Sequence, residues 1–299
     1  MRDTRTRDML EQRYSLTAAD EREVGELLLA AREADGRPED AAVAGSGRHL
    51  LLHESGELAG YAHINTEGDA FGRQVAELIV HPDFRRRGIG TRLARALTEQ
   101  VPEKLRVWAH GDHPAAARIA EHEGFTRARE LLIMHTPARD WPEPVVPQGV
   151  LLRTFVQGQD DQAVIDVNAS AFDWHPEQGS FSIEELRASQ SEDWFDASGF
   201  FLAERDGHVI GFHWTKVHPA IPRRFGGEPV GEVYVVGVDP AAQGGGLGKA
   251  LTVAGLRHLR EKGLGQVILY VEGDNAPAIA VYRGLGFDTS EVDVQYAFR

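Results

Sequence analysis

The sequence predicts a mixed α/β fold (α+β, with a mixed sheet) built twice in tandem, each copy a central, mostly antiparallel sheet flanked by helices. Three observations carry this. A glycine-rich turn occurs twice, as Val80-His81-Pro82-Asp83-Phe84-Arg85-Arg86-Arg87-Gly88-Ile89-Gly90 and as Val238-Asp239-Pro240-Ala241-Ala242-Gln243-Gly244-Gly245-Gly246-Leu247-Gly248. Each follows an apolar, β-branched run and precedes a helix-forming stretch, so both copies read strand, turn, helix. At 299 residues the chain has room for two units of roughly 140–150 residues, each able to bury a core. Between the copies, Thr136 to Gly149 holds four prolines, which block helix propagation and ladder hydrogen bonds alike. The expected division is therefore 1–139, a proline-rich linker 140–149, and 150–299.

The first copy opens with Tyr14-Ser15-Leu16 as a short strand and a Thr17-capped helix from Ala18 to about Glu33. Strands follow at Arg48 to His53, Glu57 to Asn65 and Gln74 to His81, then a helix at Thr91 to Gln100, a strand at Leu105 to Ala109 and a helix at Pro114 to Glu123. The second restarts with the strand Val150 to Thr154 and a helix at Asp160 to Ala171. Strands are expected at Gly199 to Arg205, His208 to Val217 and Gly231 to Asp239, a helix at Gly248 to Glu261, a strand at Gln266 to Val271 and a helix at Pro277 to Leu285. The stretches Asp35 to Gly47 and Phe172 to Phe181 read as loops able to carry substrate contacts.

Bulk composition narrows the function. A formal charge of −14 argues against a polyanion such as nucleic acid as the main partner and suits a neutral or cationic substrate. The absence of cysteine removes disulfides, thiolate metal sites and a cysteine nucleophile together, and suits a reducing cytoplasm. The N-terminal stretch has no signal-peptide apolar region, and no apolar run is long enough to cross a membrane. A cytoplasmic monomer with no metal is expected.

Glycine in the turn lets backbone N–H groups approach a ligand closely, and the helix that follows adds its positive end, so the natural guest is a pyrophosphate. A P-loop needs Gly-Lys followed by Ser or Thr, yet Lys249 is followed by Ala250. The dinucleotide pattern would need glycine where Lys249 and Leu93 stand. What remains is Arg or Gln, two residues, then Gly-x-Gly after a strand. This resembles the coenzyme A signature of the GNAT superfamily of N-acetyltransferases. The resemblance covers most of both copies, each of which goes on to a strand and a helix closing on Gly-Phe (Gly124-Phe125 and Gly286-Phe287).

Acyl transfer from a thioester to an amine needs a base to free the amine and gains from an acid at the departing sulfur. The resemblance implies a Glu on the strand before the turn and a Tyr on the helix after the next strand; Glu232 and Tyr282 match. Shifting Glu232 by the turn offset (243 minus 85) lands on Gln74, and shifting Tyr282 and Asn275 by the Gly-Phe offset (287 minus 125) lands on Ala120 and His113. The first copy thus lacks base and acid and is expected to bind coenzyme A without catalysis. Glu77 is its alternative base, disfavoured because it faces oppositely to Gln74 unless a bulge intervenes. Read blandly, Glu232 is a solvated strand-end residue and Tyr282 a packed ring. Asn275 can cap the helix near Pro277 as well as touch the cofactor. His175 and His213 read as core histidines.

The resemblance further implies acetyl-CoA held by Leu78, Ile79, Val80, Arg85, Arg86, Arg87, Gly88, Ile89 and Gly90 in the first copy. In the second it implies Val236, Gly237, Val238, Gln243, Gly244, Gly245, Gly246, Leu247, Gly248 and Lys249, with Asn275, Ala276, Pro277, Ala278, Ile279 and Ala280. The segments Ala171 to Gly179, Gly211 to Pro219, Gly231 to Pro240 and Leu269 to Glu272 together resemble the mycothiol synthase family, which acetylates the cysteinyl amine of a cysteine–glucosamine–inositol conjugate. By that resemblance Glu177, Lys216 and Tyr270 hold the acceptor, Glu232 takes its amine proton, and Glu39 is a looser match. The Arg223-Arg224-Phe225-Gly226-Gly227 loop is longer than the resemblance implies and bears on access. Two other readings stay open: another small amine or peptide as acceptor, and a non-catalytic acetyl-CoA sensor.

Overall fold

The computed structural model describes residues 9–36, 46–69, 71–101, 103–176, 178–220 and 225–298. The chain divides into two compact units, one of residues up to Leu131 together with those from Glu291 on, the other Leu132–Ser290. This differs from the expected division at both edges. The proline-rich stretch belongs to the second unit: Trp141 is buried, its indole Nε1 donates to Leu285 O at 3.2 Å, and Arg257 Nη1 donates to Trp141 O at 2.9 Å. The end of the chain belongs to the first unit.

In the first unit, β1 (Met9–Arg13) precedes α1 (Ala18–Asp35), so the opening strand lies ahead of the expected Tyr14-Ser15-Leu16. Thr17 and Asp20 form a reciprocal capping box that starts α1, and Gly36 closes it at φ 74°. The strands β2 (Arg48–Glu54), β3 (Glu57–Asn65) and β4 (Gln74–Val80) follow, then α2 (Ile89–Gln100), β5 (Leu105–Ala109), α3 (Pro114–His122) and β6 (Phe125–Pro137). β1 to β4 pair antiparallel in order, β4 pairs parallel with β5, and β5 pairs antiparallel with the last strand of the chain. On α2 the buried Leu93, Ala96 and Leu97 recur at helical spacing and pack on one face of this sheet with Leu50, Ile64 and Val107. Val24, Leu27 and Leu28 of α1 pack on Leu51 and Tyr61 of the other.

The second unit runs through β7 (Leu151–Thr154), α4 (Asp161–Ala171), α5 (Ile183–Ser189), β8 (Phe200–Arg205), β9 (His208–His218), β10 (Val230–Val238), α6 (Leu247–Glu261), β11 (Gln266–Glu272) and α7 (Ala276–Gly284). β12 (Asp288–Phe298) then carries the chain back to the first unit. β7 to β10 pair antiparallel and β10 pairs parallel with β11, repeating the first sheet. α5 lies where the sequence pattern predicts no element. Its signal was the Ser182–Glu185 capping box. The core beneath α4 stacks Phe155 on Phe200 and Phe200 on Trp214, with ring centroids 4.5 and 4.8 Å apart.

Candidate active site

In the second unit β10 and β11 are paired only over Gly231–Val233 and Val267–Leu269. Beyond them β10 runs on to Val238 and β11 to Glu272 without a ladder between them, so a cleft opens whose walls carry unpaired backbone groups. Val236, Gly237 and Val238 lie on one wall and Tyr270 and Glu272 on the other. A Cβ at Gly237 would stand 2.7 Å from Phe212 Cε1, which explains glycine there.

The glycine turn lies past the end of β10. Gly244, Gly245 and Gly246 have φ of 91°, 58° and 83°, in the left-handed region open to glycine. No side chain caps α6; Leu247 N–H bonds Gly244 O at 3.4 Å, while the Gly248 and Lys249 amides of the first turn have no partner among the described residues, and added Cβ atoms at Gly244 or Gly246 would meet nothing within 4 Å. That cradle fits a pyrophosphate. Gln243 reaches back to Val238 O at 3.4 Å. The start of α7 differs: Asn275 caps it by accepting from the Ala278 amide at 3.2 Å, Ala276 N–H is taken by Asp274 O, and Pro277 has no N–H. Ala276, Pro277, Ala278 and Ala280 therefore offer small side chains, with Ile279 turned into the core, and not a row of open donors.

Glu232 is 5% exposed, and His218 Nε2 lies 2.6 Å from its Oε2. Lys216 stands opposite Glu232 in register, yet its ammonium lies over the rings of Trp194 and Tyr234, 4.4 and 5.0 Å from their centroids. Burial, with the Glu232 charge adding to it, pushes the Tyr234 phenol up. Tyr282 lies on α7 against Phe287, and burial pushes its phenol up to about 12. Tyr270 is exposed on β11. Glu272, two residues on, is buried with His175 Nε2 at 3.6 Å. The expectation of two core histidines holds for His213, which is fully buried with Nδ1 bonded to Leu251 O, and burial lowers its pKa to about 4. His175 also makes a local hydrogen bond, its Nδ1 accepting from the Gln178 N–H at 3.0 Å, with Nε2 toward Glu272. Glu39, Glu177, Arg223 and Arg224 lie outside the described residues.

The first unit has the same cleft with different contents. β4 and β5 pair over Gln74–Glu77 and Leu105–Trp108, and Leu78, Ile79 and Val80 run on beyond the ladder. The turn has Gly88 at φ 82° before α2, which also lacks a side-chain cap, but Arg86 takes φ 63° where the second copy has Gly244. Arg85 is engaged elsewhere: it binds both oxygens of Asp35 at 2.7 and 2.8 Å and donates to Val80 O.

Registers correct one equivalence drawn from the turn offset. Val80 faces Gly60 as Val238 faces Gly211, but the β9–β10 register shifts between Val233 and Val235, making Tyr234 an extra residue that β4 lacks. Ahead of this bulge Glu232 matches Val75, not Gln74. The counterpart of Glu232 is an apolar side chain. At Glu77 the His110 side chain, 3.5 Å away, holds the carboxyl below the usual range. Burial opposes a charged His110, but hydrogen bonds to Asp293 and Glu77 outweigh it and push the imidazole up to about 10. Ala120 stands in for Tyr282, on α3.

The acetyltransferase (GNAT) family model matches residues 11–125 and 168–287, one stretch for each glycine turn. The chain belongs to this family. Within it, the chain is 66% identical over 288 residues to a mycothiol acetyltransferase from Saccharomonospora viridis, covering 92% of this chain and 94% of that protein. It is 60% identical over 294 residues to one from Amycolatopsis mediterranei, covering 96% and 98%. The fold is shared with a GCN5-related N-acetyltransferase from Sphaerobacter thermophilus, with TM-score 0.72 and 23% identity over 96% of this chain and 94% of that one. It is also shared with a tandem GNAT protein from the clavulanic acid biosynthesis pathway, at TM-score 0.65 and 22% identity over 96% and 98%. As a GNAT acyltransferase the protein draws its acetyl group from acetyl-CoA.

Proposed function

We propose that the second unit acetylates the cysteinyl amine of a cysteine–glucosamine–inositol conjugate, completing mycothiol, while the first unit holds acetyl-CoA without catalysing transfer. What supports this reading is the asymmetry of two like strand–turn–helix units: the second has Glu232 on β10 and Tyr282 on α7, where the first has Val75 on β4 and Ala120 on α3. The relatives named mycothiol acetyltransferase support the choice of acceptor.

In this reading the amides at the start of α6 and the turn Gln243 to Lys249 hold the pyrophosphate, and the unpaired backbone of Val236 to Val238 orients the pantetheine arm. Acetyl-CoA, when bound, supplies the acetyl thioester. Glu232 Oε1, which has no hydrogen-bond partner among the described residues, receives the ammonium proton of the acceptor. The Tyr282 hydroxyl likewise lacks such a partner and donates its proton at the leaving sulfur. Lys216, fixed by two aromatic faces, and Tyr270 present polar groups to the sugar and cyclitol hydroxyls. In the first unit Leu78 to Val80 and the turn Arg85 to Gly90 hold the nucleotide. The protein acts as a monomer in the cytoplasm.

An amine-acceptor screen with acetyl-CoA, scored by released thiol and including the cysteinyl conjugate, tests the substrate; preference for a different amine overturns it. Glu232→Gln should cut turnover by about 10²–10⁴-fold while cofactor binding persists, and near-normal turnover would remove Glu232 as the base.

A further inference from the structure

We infer that His218 positions Glu232 for catalysis, its Nε2–H pinning one carboxylate oxygen so that the other faces the acceptor amine. The inference rests on the reading of Glu232 as the base. A carboxylate oxygen can only accept, so the 2.6 Å contact assigns the proton to Nε2. With 7% of the Glu232 side chain exposed, a carboxylate needs a partner to stay charged, and among the described residues His218 is its hydrogen-bond partner. Lys216, the cation opposite in register, is drawn onto Trp194 and Tyr234 and forms no ion pair with Glu232 among the described residues.

Strand geometry puts the three side chains together. His218 faces Val230 in the β9–β10 register and Lys216 faces Glu232, so His218, Lys216 and Glu232 share one face of the sheet, with His218 on the diagonal. The first unit is an internal control. Gly211 and Gly60 occupy the same register position, an offset of 151 (211 minus 60), which sends Lys216 to Asn65, the last residue of β3. Val75 stands for Glu232 there. β9 runs two residues further than β3, and His218 sits on that extension beside the carboxylate. The Oε2 bond also removes one of the two orientations a free carboxylate would sample, which matters because the base must sit within hydrogen-bond reach of the amine.

The test is steady-state kinetics of acetylation of the cysteinyl conjugate by the full chain. His218→Ala should lower kcat by about 10–100-fold with the acetyl-CoA KM within about two-fold of the parent. His218→Gln, whose amide N–H can reach the place of Nε2, should recover most of that loss, and added imidazole should partly restore the alanine variant. Adding His218→Ala to Glu232→Gln should cost nothing further. A His218→Ala enzyme within about two-fold of the parent, a glutamine variant as slow as alanine, or a loss confined to the acetyl-CoA KM would each overturn the inference. If the alanine variant does not fold, His218→Leu against His218→Gln makes the same comparison. Glu232→Gln alone reports on the base, so failure of that reading shows independently of His218.

Discussion

Tyr282 carries a phenol that burial pushes up to about 12, so its proton is present throughout the range in which an amine acceptor is assayed. A general acid works only while protonated. The kcat profile of the native enzyme should therefore show no fall from Tyr282 up to about pH 10, and Tyr282→Phe should lower kcat by about 10–100-fold across that whole range. A native alkaline fall below pH 10 that vanishes in Tyr282→Phe would contradict the raised pKa, and a Tyr282→Phe enzyme within about two-fold of the native kcat would remove Tyr282 as the acid. The proposal of Glu232 and Tyr282 can be made from the sequence, because the family resemblance points to a Glu and a Tyr at these places and the first copy has neither. His218 and Glu272 are not, since a histidine ending one strand and a glutamate ending another acquire meaning only from contacts across the sheet.

At the scale of the element, the bulge at Tyr234 matters most. An offset read along the sequence assumes equal spacing in both strands, and one inserted residue defeats it for everything upstream. Bulges leave little trace in composition, and so Gln74 was the expected counterpart of Glu232 where the ladder gives Val75. Strand and helix bounds fared better, because alternation in β3 and helical spacing in α2 and α6 are strong local signals. Deleting Tyr234 should leave Glu232 opposite Lys216, as Val75 faces Asn65 in the first unit, but remove one of the two rings over the Lys216 ammonium. The expected variant still binds acetyl-CoA through the turn after Val238, measured by calorimetry, while the KM for the acceptor rises by about 3–10-fold. An unchanged acceptor KM would mean that Tyr234 does not hold Lys216 for the acceptor.

At the scale of the whole molecule, the first unit includes the end of the chain. Val294 and Tyr296 of β12 sit in its core, 0% and 6% exposed, and Asp293 accepts from the Gly111 N–H at 2.8 Å and bonds His110. Buried side chains of this size contribute about 1.5–3 kcal/mol each, against a typical total of about 5–15. Ending the chain after Ser290 should therefore open the first unit to proteolysis between β1 and β5 while the second stays protected; equal protection would refute the dependence. His110 adds a pH signature. Its folded pKa is raised to about 10, so its contribution is fully present below its ordinary value near 6.5 and fades as pH climbs through 10. Melting temperature should fall more over that window in the native chain than in His110→Gln. The proline count suggested a boundary near residue 140, but which strand completes which sheet was not legible, because pairing between distant segments leaves no local mark.

The placement of β12 also sets an order of events during synthesis. Strands β1 to β5 leave the ribosome early, yet the strand that covers the open edge of β5 follows only 185 residues later (294 minus 109). At about 5–20 residues per second that is a wait of roughly 9–37 s with an unpaired strand edge exposed. Residues 132–290 can close their own sheet as soon as they emerge. The half translated first is thus the half finished last, and the nascent chain is most open to mispairing at β5.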